Sequence, residues 1–541
     1  MPIQPPSRAE LARIAEEYRL GLSEEELSTF AELAGPSLAG YMRLDELPDE
    51  SLPVSYARED VGHRPIGEEN PSNGWSWKCS IRGAAEGPLA GRTVGVKDNV
   101  CVAGVPMLNG SPIMEGYVPR EDATVVTRLL DAGAHIVGKT AVPAFCFDGG
   151  GLTGYPDPQP TNPHDPAYLC GASSNGSAAV LVTGEAELAL GGDQGGSIRL
   201  PSSWSGCCGH KPTHGLVPYT GIFPIELTLD HIGPMAMTVA DCAVMLEAIA
   251  GPDGLDPRQI DVATQPYTQP LEAGADGLRV GVLSEGFEIP DVSEPDVDAA
   301  VRGAADALAG TGAEVDEVSV PMHRDGLAIW NAIAIEGATE LMVRGDAFGT
   351  NHKGHYTTDL LDFYGRARRA RGHDYSVTVK LTALLGGYLS DRYNHHYYAK
   401  AQNLGRRLRA RYGEALERYD VLVMPTTAMT ARPIPADRAI TEVLAAALGN
   451  LHNTSPFDVT GNPALSVPCG MTDGRPIGMM LVGRHFDDAT VLRAGHAYEQ
   501  VRGAAWSVEP VGARRFSRAA ADTSSDQPVH EPAVHDGQHD R

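Results

Sequence analysis

The chain has 541 residues, with 43 Lys plus Arg against 70 Asp plus Glu and a formal net charge of −27. Its length exceeds the roughly 250–300 residues at which one core stops growing, so more than one structural unit is expected. The charge excludes a nucleic-acid partner, which needs clustered Lys and Arg, and the absence of any run of about 18 apolar residues predicts no membrane span.

In chain order, residues 1–46 read as a helical segment. Ser7 with Glu10, and Ser23 with Glu26, fit the capping box that opens a helix. Leu11, Ile14, Ala15 and Tyr18 then fall on one apolar stripe at helical spacing. Residues 47–90 lose that pattern among Pro53, Pro65 and Pro71 and read as a linker. From residue 91 to about 510, short apolar strands alternate with helices. The pattern predicts strands at Thr93–Lys97, His135–Gly138, Leu278–Leu283, Asp420–Met424 and Gly478–Val482. Helices are predicted over Ala123–Ala132 and Asp296–Ala309, with a last one from Ala489. Such alternation argues for an α/β fold, a large mixed sheet covered by helices. Residues 511–541 are polar and poor in large apolar side chains, so a disordered tail is expected there. His530, His535 and His539 lie in that tail, and solvated disorder is the reading preferred to a metal tract.

The eight cysteines form no CxxC pair, so neither a zinc site nor a disulfide framework is expected. They read as small buried apolar residues. The opening MPIQPPSRAE lacks the basic start and apolar core of a secretory signal. Together these features predict a reduced, cytoplasmic protein.

Chemistry concentrates in three segments: GVKDN (Gly95–Asn99), GASSNGSAA (Gly171–Ala179) and GGDQGGSIRLP (Gly191–Pro201). In the third, Ser197 follows two residues without side chains. Glycines let backbone N–H groups converge beside the hydroxyl, as an oxyanion hole requires. A lone serine is a poor nucleophile and needs a base within hydrogen-bond reach. The G-x-S-x-G elbow is absent, because Asn175 and Arg199 stand where its second glycine belongs. There is no HExxH and no P-loop. His210, His214 and His231 follow Ser197 closely but show no catalytic pattern and read as structural.

The same three segments, with GKTAVPAF, CGHKPTHGLVP (Cys208–Pro218), LDHIGPM (Leu229–Met235) and MPTT (Met424–Thr427), resemble the amidase-signature family. The 24-residue separation of Ser173 and Ser197 agrees with it, and the likeness spans nearly all of residues 85–505. Gln194 and the helical N-terminal extension are similar to those of broad-specificity amidases that accompany nitrile hydratases. The resemblance implies Ser197 as nucleophile, Ser173 as a bridging serine after a cis peptide, and Lys97 as base. It also implies backbone amides of Gln194, Gly195, Gly196 and Ser197 as the oxyanion hole, and an Asp193–Arg199 pair bracing the loop. Phe147 is taken as one wall of the substrate site. Two positions depart from the family pattern: Ala172 replaces a glycine before Ser173, and Asn175 replaces a glycine or serine.

The expected activity is hydrolysis of a small amide to acid and ammonia through an acyl-enzyme, with no metal or organic cofactor. The expected partners are the amide substrate and a second copy of the chain in a homodimer. An amidotransferase component that draws ammonia from glutamine, a hydrolase of carbamates, hydrazides or anilides, and a binding protein that keeps the fold remain as alternatives.

Overall fold

The computed structural model describes residues 3–502. The expected tail at 511–541, with its three histidines, and the last residues of the expected 91–510 domain lie outside the described residues. Residues up to Leu52 and residues from Pro53 onward cluster as two separate units.

The first unit holds three helices, Arg8–Glu17, Glu24–Ser37 and Ala39–Glu46. Both capping boxes form: the Ser7 and Ser23 hydroxyls accept the amides of Glu10 and Glu26, whose carboxylates accept the serine amides in return. These reciprocal bonds satisfy donors that a helix start otherwise leaves open. The apolar stripe is only partly covered. Ala15 is buried, whereas Tyr18 is 66% exposed.

The second unit is built on one twelve-stranded sheet. Its strands are β1 (Asp60–His63), β2 (Trp75–Arg82), β3 (Thr93–Lys97), β4 (His135–Thr140), β5 (Leu188–Asp193), β6 (Cys208–Lys211), β7 (His231–Ala236), β8 (Arg279–Leu283), β9 (Glu314–Val318), β10 (Val421–Pro425), β11 (Ala464–Thr472) and β12 (Arg475–Val482). Their order is β1-β2-β4-β3-β5-β7-β6-β11-β12-β10-β8-β9. The sheet is mixed: β3 runs parallel to β4 and β5, and β8 runs parallel to β9 and β10. The remaining pairs are antiparallel. Its inner strands are buried throughout, as in β5 and β10, which is what helices on both faces produce.

Residues 47–90 are not simply a linker. They contribute β1 and β2, and β2 pairs with β4 at Trp75↔Thr140 and Trp77↔Lys139. Two indoles and a buried Cys79 and Ile81 give WSWKCSIR its apolar face, while the prolines and glycines around it masked the alternation. Among the described residues no helix is long and apolar enough to cross a membrane.

Candidate active site

β3 and β5 are parallel neighbours, with Val94 opposite Leu188 and Gly95 opposite Ala189. Parallel strands end on the same edge of a sheet, where open α/β folds place their sites. Here β3 ends at Lys97, and β5 runs into the glycine loop that carries Ser197. Lys97 is fully buried, and its Nζ donates to Ser173 Oγ at 2.8 Å and to the Gly192 carbonyl at 2.9 Å. Ser173 follows Ala172 through a cis peptide bond, just ahead of the buried helix Asn175–Val182. The Ser174 amide donates to the Ser197 carbonyl at 3.2 Å, which ties the two serine loops together. Ser197 is half-buried and opens into a cavity that Cys146, Phe147, Gln194, Gly195 and Trp330 also line. Burial pushes the Lys97 ammonium down from its ordinary value; the Cys146 thiol, Asp193 and Asp230 oppose it. A lysine displaced in that sense can hold a free amine and accept a proton through Ser173.

The loop after β5 is held peptide by peptide. Trp330 Nε1 donates to the Gln194 carbonyl at 2.6 Å, Thr454 Oγ1 to the Gly195 carbonyl at 2.6 Å, and the Leu200 amide to the Gly196 carbonyl at 2.7 Å. Each pinned carbonyl turns the following N–H to the opposite side, because the peptide is planar and trans. The amides of Gln194, Gly195 and Ser197 have no acceptor among the described residues. The Gly196 amide differs from its expected role, since it donates to Asp193 Oδ1 at 2.6 Å. Three of the four expected amides thus have no partner among the described residues. Glycine is required at two places here. A β-carbon on Gly195 would lie 2.7 Å from the Trp330 ring. Gly196 sits at φ +141°, and a β-carbon there would lie 2.4 Å from Thr454 Oγ1.

Beneath the loop, Asp193 accepts Arg199 Nε at 3.0 Å and Nη2 at 2.9 Å, together with the amides of Gly196 and Ile198. The pair implied by the resemblance extends to a third member. Arg199 Nη2 also donates to Asp458 at 2.7 Å, and Nη1 to the Thr454 carbonyl at 2.9 Å. All three charged side chains are fully buried. Burial alone would raise Asp193, but the Arg199 guanidinium outweighs it and holds that carboxyl below its usual range. Asp458, which shares the same guanidinium, is pushed well up by burial and by the nearby Asp193.

Phe147 lines the cavity, as do Ile225, Leu229, Ala334, Leu448 and Leu451. The three histidines after Ser197 are tied elsewhere: His210 to Asp488 at 2.9 Å, His214 to the Leu227 carbonyl at 3.0 Å, and His231 to the Leu229 carbonyl at 2.7 Å. Burial pushes His214 down to about 3 and His231 well below its ordinary value. Ala172 is accommodated beside the cis bond, its methyl 3.3 Å from where a Gly151 β-carbon would sit. Asn175 is buried with both side-chain polar atoms unpartnered. Sequence reasoning missed Trp330, Thr454 and Asp458, which lie far along the chain and carry no local motif. It read Cys146 only as a packing residue. Its thiol is pushed up by burial, with Lys97 and Ser173 the main opposing influences.

Sequence-family comparison matches residues 76–492 to the family described as Amidase. An enantioselective amidase of Rhodococcus rhodochrous is 45% identical over 507 residues, covering 93% of this chain and 96% of that protein. The A component of the glutamyl-tRNA(Gln) amidotransferase of Methanosarcina acetivorans is 36% identical over 477 residues, covering 86% of this chain and 97% of that protein. Among solved structures, the A component of the glutamyl-tRNA(Gln) amidotransferase of Thermotoga maritima aligns with a TM-score of 0.64 at 29% identity, covering 90% of this chain and 94% of that one.

Proposed function

Since the chain belongs to the amidase-signature family and is a carbon–nitrogen hydrolase acting on amides, we propose that it cleaves them with Ser197 as nucleophile, Ser173 as proton bridge and Lys97 as base. Ser197 Oγ attacks the amide carbon while its proton passes to Ser173 and that of Ser173 to the neutral Lys97 amine. Negative charge on the carbonyl oxygen falls to the open amides of Gln194, Gly195 and Ser197, preorganised donors whose stabilisation grows only as charge develops. The relay returns its proton to the leaving nitrogen, and ammonia departs from an acyl-enzyme. Water then attacks the ester, giving up a proton along the same route. The acid leaves and the Ser197 hydroxyl is restored. The observation that carries this reading is the 2.8 Å bond from a buried Lys97 to Ser173, in contact with the serine loop.

The substrate we infer is an uncharged amide with an apolar acyl group. Phe147, Ile225, Leu229, Trp330, Leu448 and Leu451 wall the cavity, and among the described residues no Lys or Arg lines it. Its one carboxylate, Asp148, is taken up by the amides of Gly150, Gly151, Leu152 and Thr153 at 2.8–3.0 Å. An apolar pocket with a few placed polar groups suits such a ligand. The second reading, a glutamine-using amidotransferase component, draws on the 36% identity above. It meets a cavity without counter-charges for the α-ammonium and α-carboxylate of glutamine. Binding an ionised group unpaired in such a site is costly. Carbamates, hydrazides and anilides differ in the leaving group and stay within the same chemistry.

The test is ammonia release from aliphatic, aromatic and α-substituted amides, the last as separate enantiomers, with Ser197→Ala and Lys97→Ala alongside. Both variants are expected to lose turnover by about 10³-fold or more; release that survives Ser197→Ala overturns the assignment. A fluorophosphonate probe that fails to label Ser197 would instead favour a binding protein that keeps the fold. A cytoplasmic homodimer belongs to the same proposal. It rests on eight free, buried cysteines and on exposed Tyr18, Phe30, Leu33 and Leu44 in the helical unit. Sedimentation of the whole chain checks the dimer.

A further inference from the structure

A cleft of about 810 Å³ opens at the C-terminal end of the helix Gly326–Ala338, and it shares no lining residue with the serine cavity. Trp330 and Ala334 face the acyl cavity. Glu336, two positions on and roughly 200° around the helix, faces the cleft. Glu226 reaches the same cleft from the segment whose Ile225 and Leu229 line the acyl cavity. We propose that this cleft binds an organic ammonium ion, a primary amine with an apolar body, between Glu226 and Glu336.

Glu336 carries the argument. Its side chain is 1% exposed, and neither carboxylate oxygen has a hydrogen-bond partner at normal geometry. The nearest ionisable donor, His395 Nδ1, stands 3.6 Å off and is half exposed. His395 and the Tyr398 backbone offset the burial of Glu336 only in part. Glu226 is also buried, and its oxygens accept only neutral donors: Tyr398 Oη at 2.9 Å, the Thr228 amide at 2.7 Å and Thr228 Oγ1 at 2.6 Å. The other acids of the cleft are already matched. Glu340 pairs with Arg344 at 2.7 Å, and Asp346 pairs with Arg368 and Arg369. Gly337 completes the arrangement, because a β-carbon there would lie 2.3 Å from Glu226 Cγ. Without it, the Glu226 side chain lies directly against the helix next to Glu336. Burial pushes both carboxyls above their usual range.

Two buried carboxyls in the wall of the cleft, with no strong cation on them, form a receptor for positive charge once a ligand draws them outward. The chemistry of the walls selects the cation. Among the described residues no group of three His, Cys, Asp or Glu is placed to hold a metal ion. The cleft is far larger than an ion, and Leu227, Leu341 and Leu361 offer apolar surface to an organic body. A primary ammonium brings three N–H donors, which suits Glu336 with two idle acceptors.

The test is calorimetric titration of the full-length protein with n-butylammonium chloride, with n-butanol as the uncharged isostere. Saturable one-site binding of the amine is expected, with none for the alcohol. Binding should be unchanged in Ser197→Ala, which separates the cleft from the hydrolytic site and from the function proposed for it. Glu336→Gln, which keeps the shape, should weaken the amine about tenfold or more, the equivalent of roughly 1.4 kcal/mol. Glu226→Gln should weaken it independently. No saturable amine binding, equal binding of the alcohol, loss in Ser197→Ala, or unchanged affinity in a Glu336→Gln protein with the wild-type thermal midpoint would each overturn the proposal.

Discussion

At the scale of single residues, the proposed chemistry turns on one amine kept out of water. Lysine is an unusual base because its ordinary value near 10.5 leaves it charged at neutral pH, and Lys97 escapes this through burial, which displaces it downward. The sign of the consequence follows directly. In the proposed mechanism the neutral amine is the active form, so kcat/KM should rise with pH along a limb set by Lys97 and lying below the ordinary lysine value. Lys97→Arg, which cannot deprotonate, should stay inactive across the profile. A wild-type limb at or above the ordinary value of 10.5 would remove Lys97 from the role of base. The three side chains proposed for catalysis stand out in the sequence because each sits in a short segment with glycine, and the spacing of the two serines adds a second constraint. Their supports do not. Trp330 Nε1 and the Gln194 carbonyl it holds are separated by 136 residues, and Thr454 by 259 from the carbonyl it holds. No local pattern announces partners at that remove.

At the scale of elements, the glycine loop has its backbone pinned from three directions, which predicts how it fails. In Gly195→Ala the new methyl meets the Trp330 ring. Overpacking of this kind costs about 1–3 kcal/mol of stability. The larger effect belongs to catalysis, because displacement of the loop misaligns the open amides, and a misplacement near 1 Å can cost about 10²-fold. Thermal unfolding and kcat/KM measured together should show that imbalance. In Gly195→Ala/Trp330→Phe most of the lost stability should return, since the smaller ring vacates the space. Two additive losses would mean that the methyl strains something other than the indole. Strands such as β3, β4 and β8 were readable because Val, Ile and Leu gather in them between turn residues. β2 was not: Trp75, Trp77, Cys79 and Ile81 do alternate with polar residues, but the strand lies in a stretch crowded with breakers. The helical start was read through its capping boxes, whose logic is local.

At the scale of the whole molecule, the α/β class was legible from alternation alone, but the strand order was not, because non-consecutive neighbours such as β6 and β11 leave no mark in local periodicity. The order has a consequence for the protein while it is being made. Every side chain of the proposed chemistry has been added to the chain by Ser197, yet Asp458 is made 259 residues after the Arg199 it grips. At about 5–20 residues per second, that gap lasts roughly 13–52 s. Nascent chains arrested before Trp330 should therefore carry Lys97, Ser173 and Ser197 and still not react with a fluorophosphonate, whereas chains extended beyond Asp458 should. Labelling of the shorter chains would show that the loop takes its shape without its distant supports. If they stay silent, the enzyme is born inert and becomes reactive only near the end of translation.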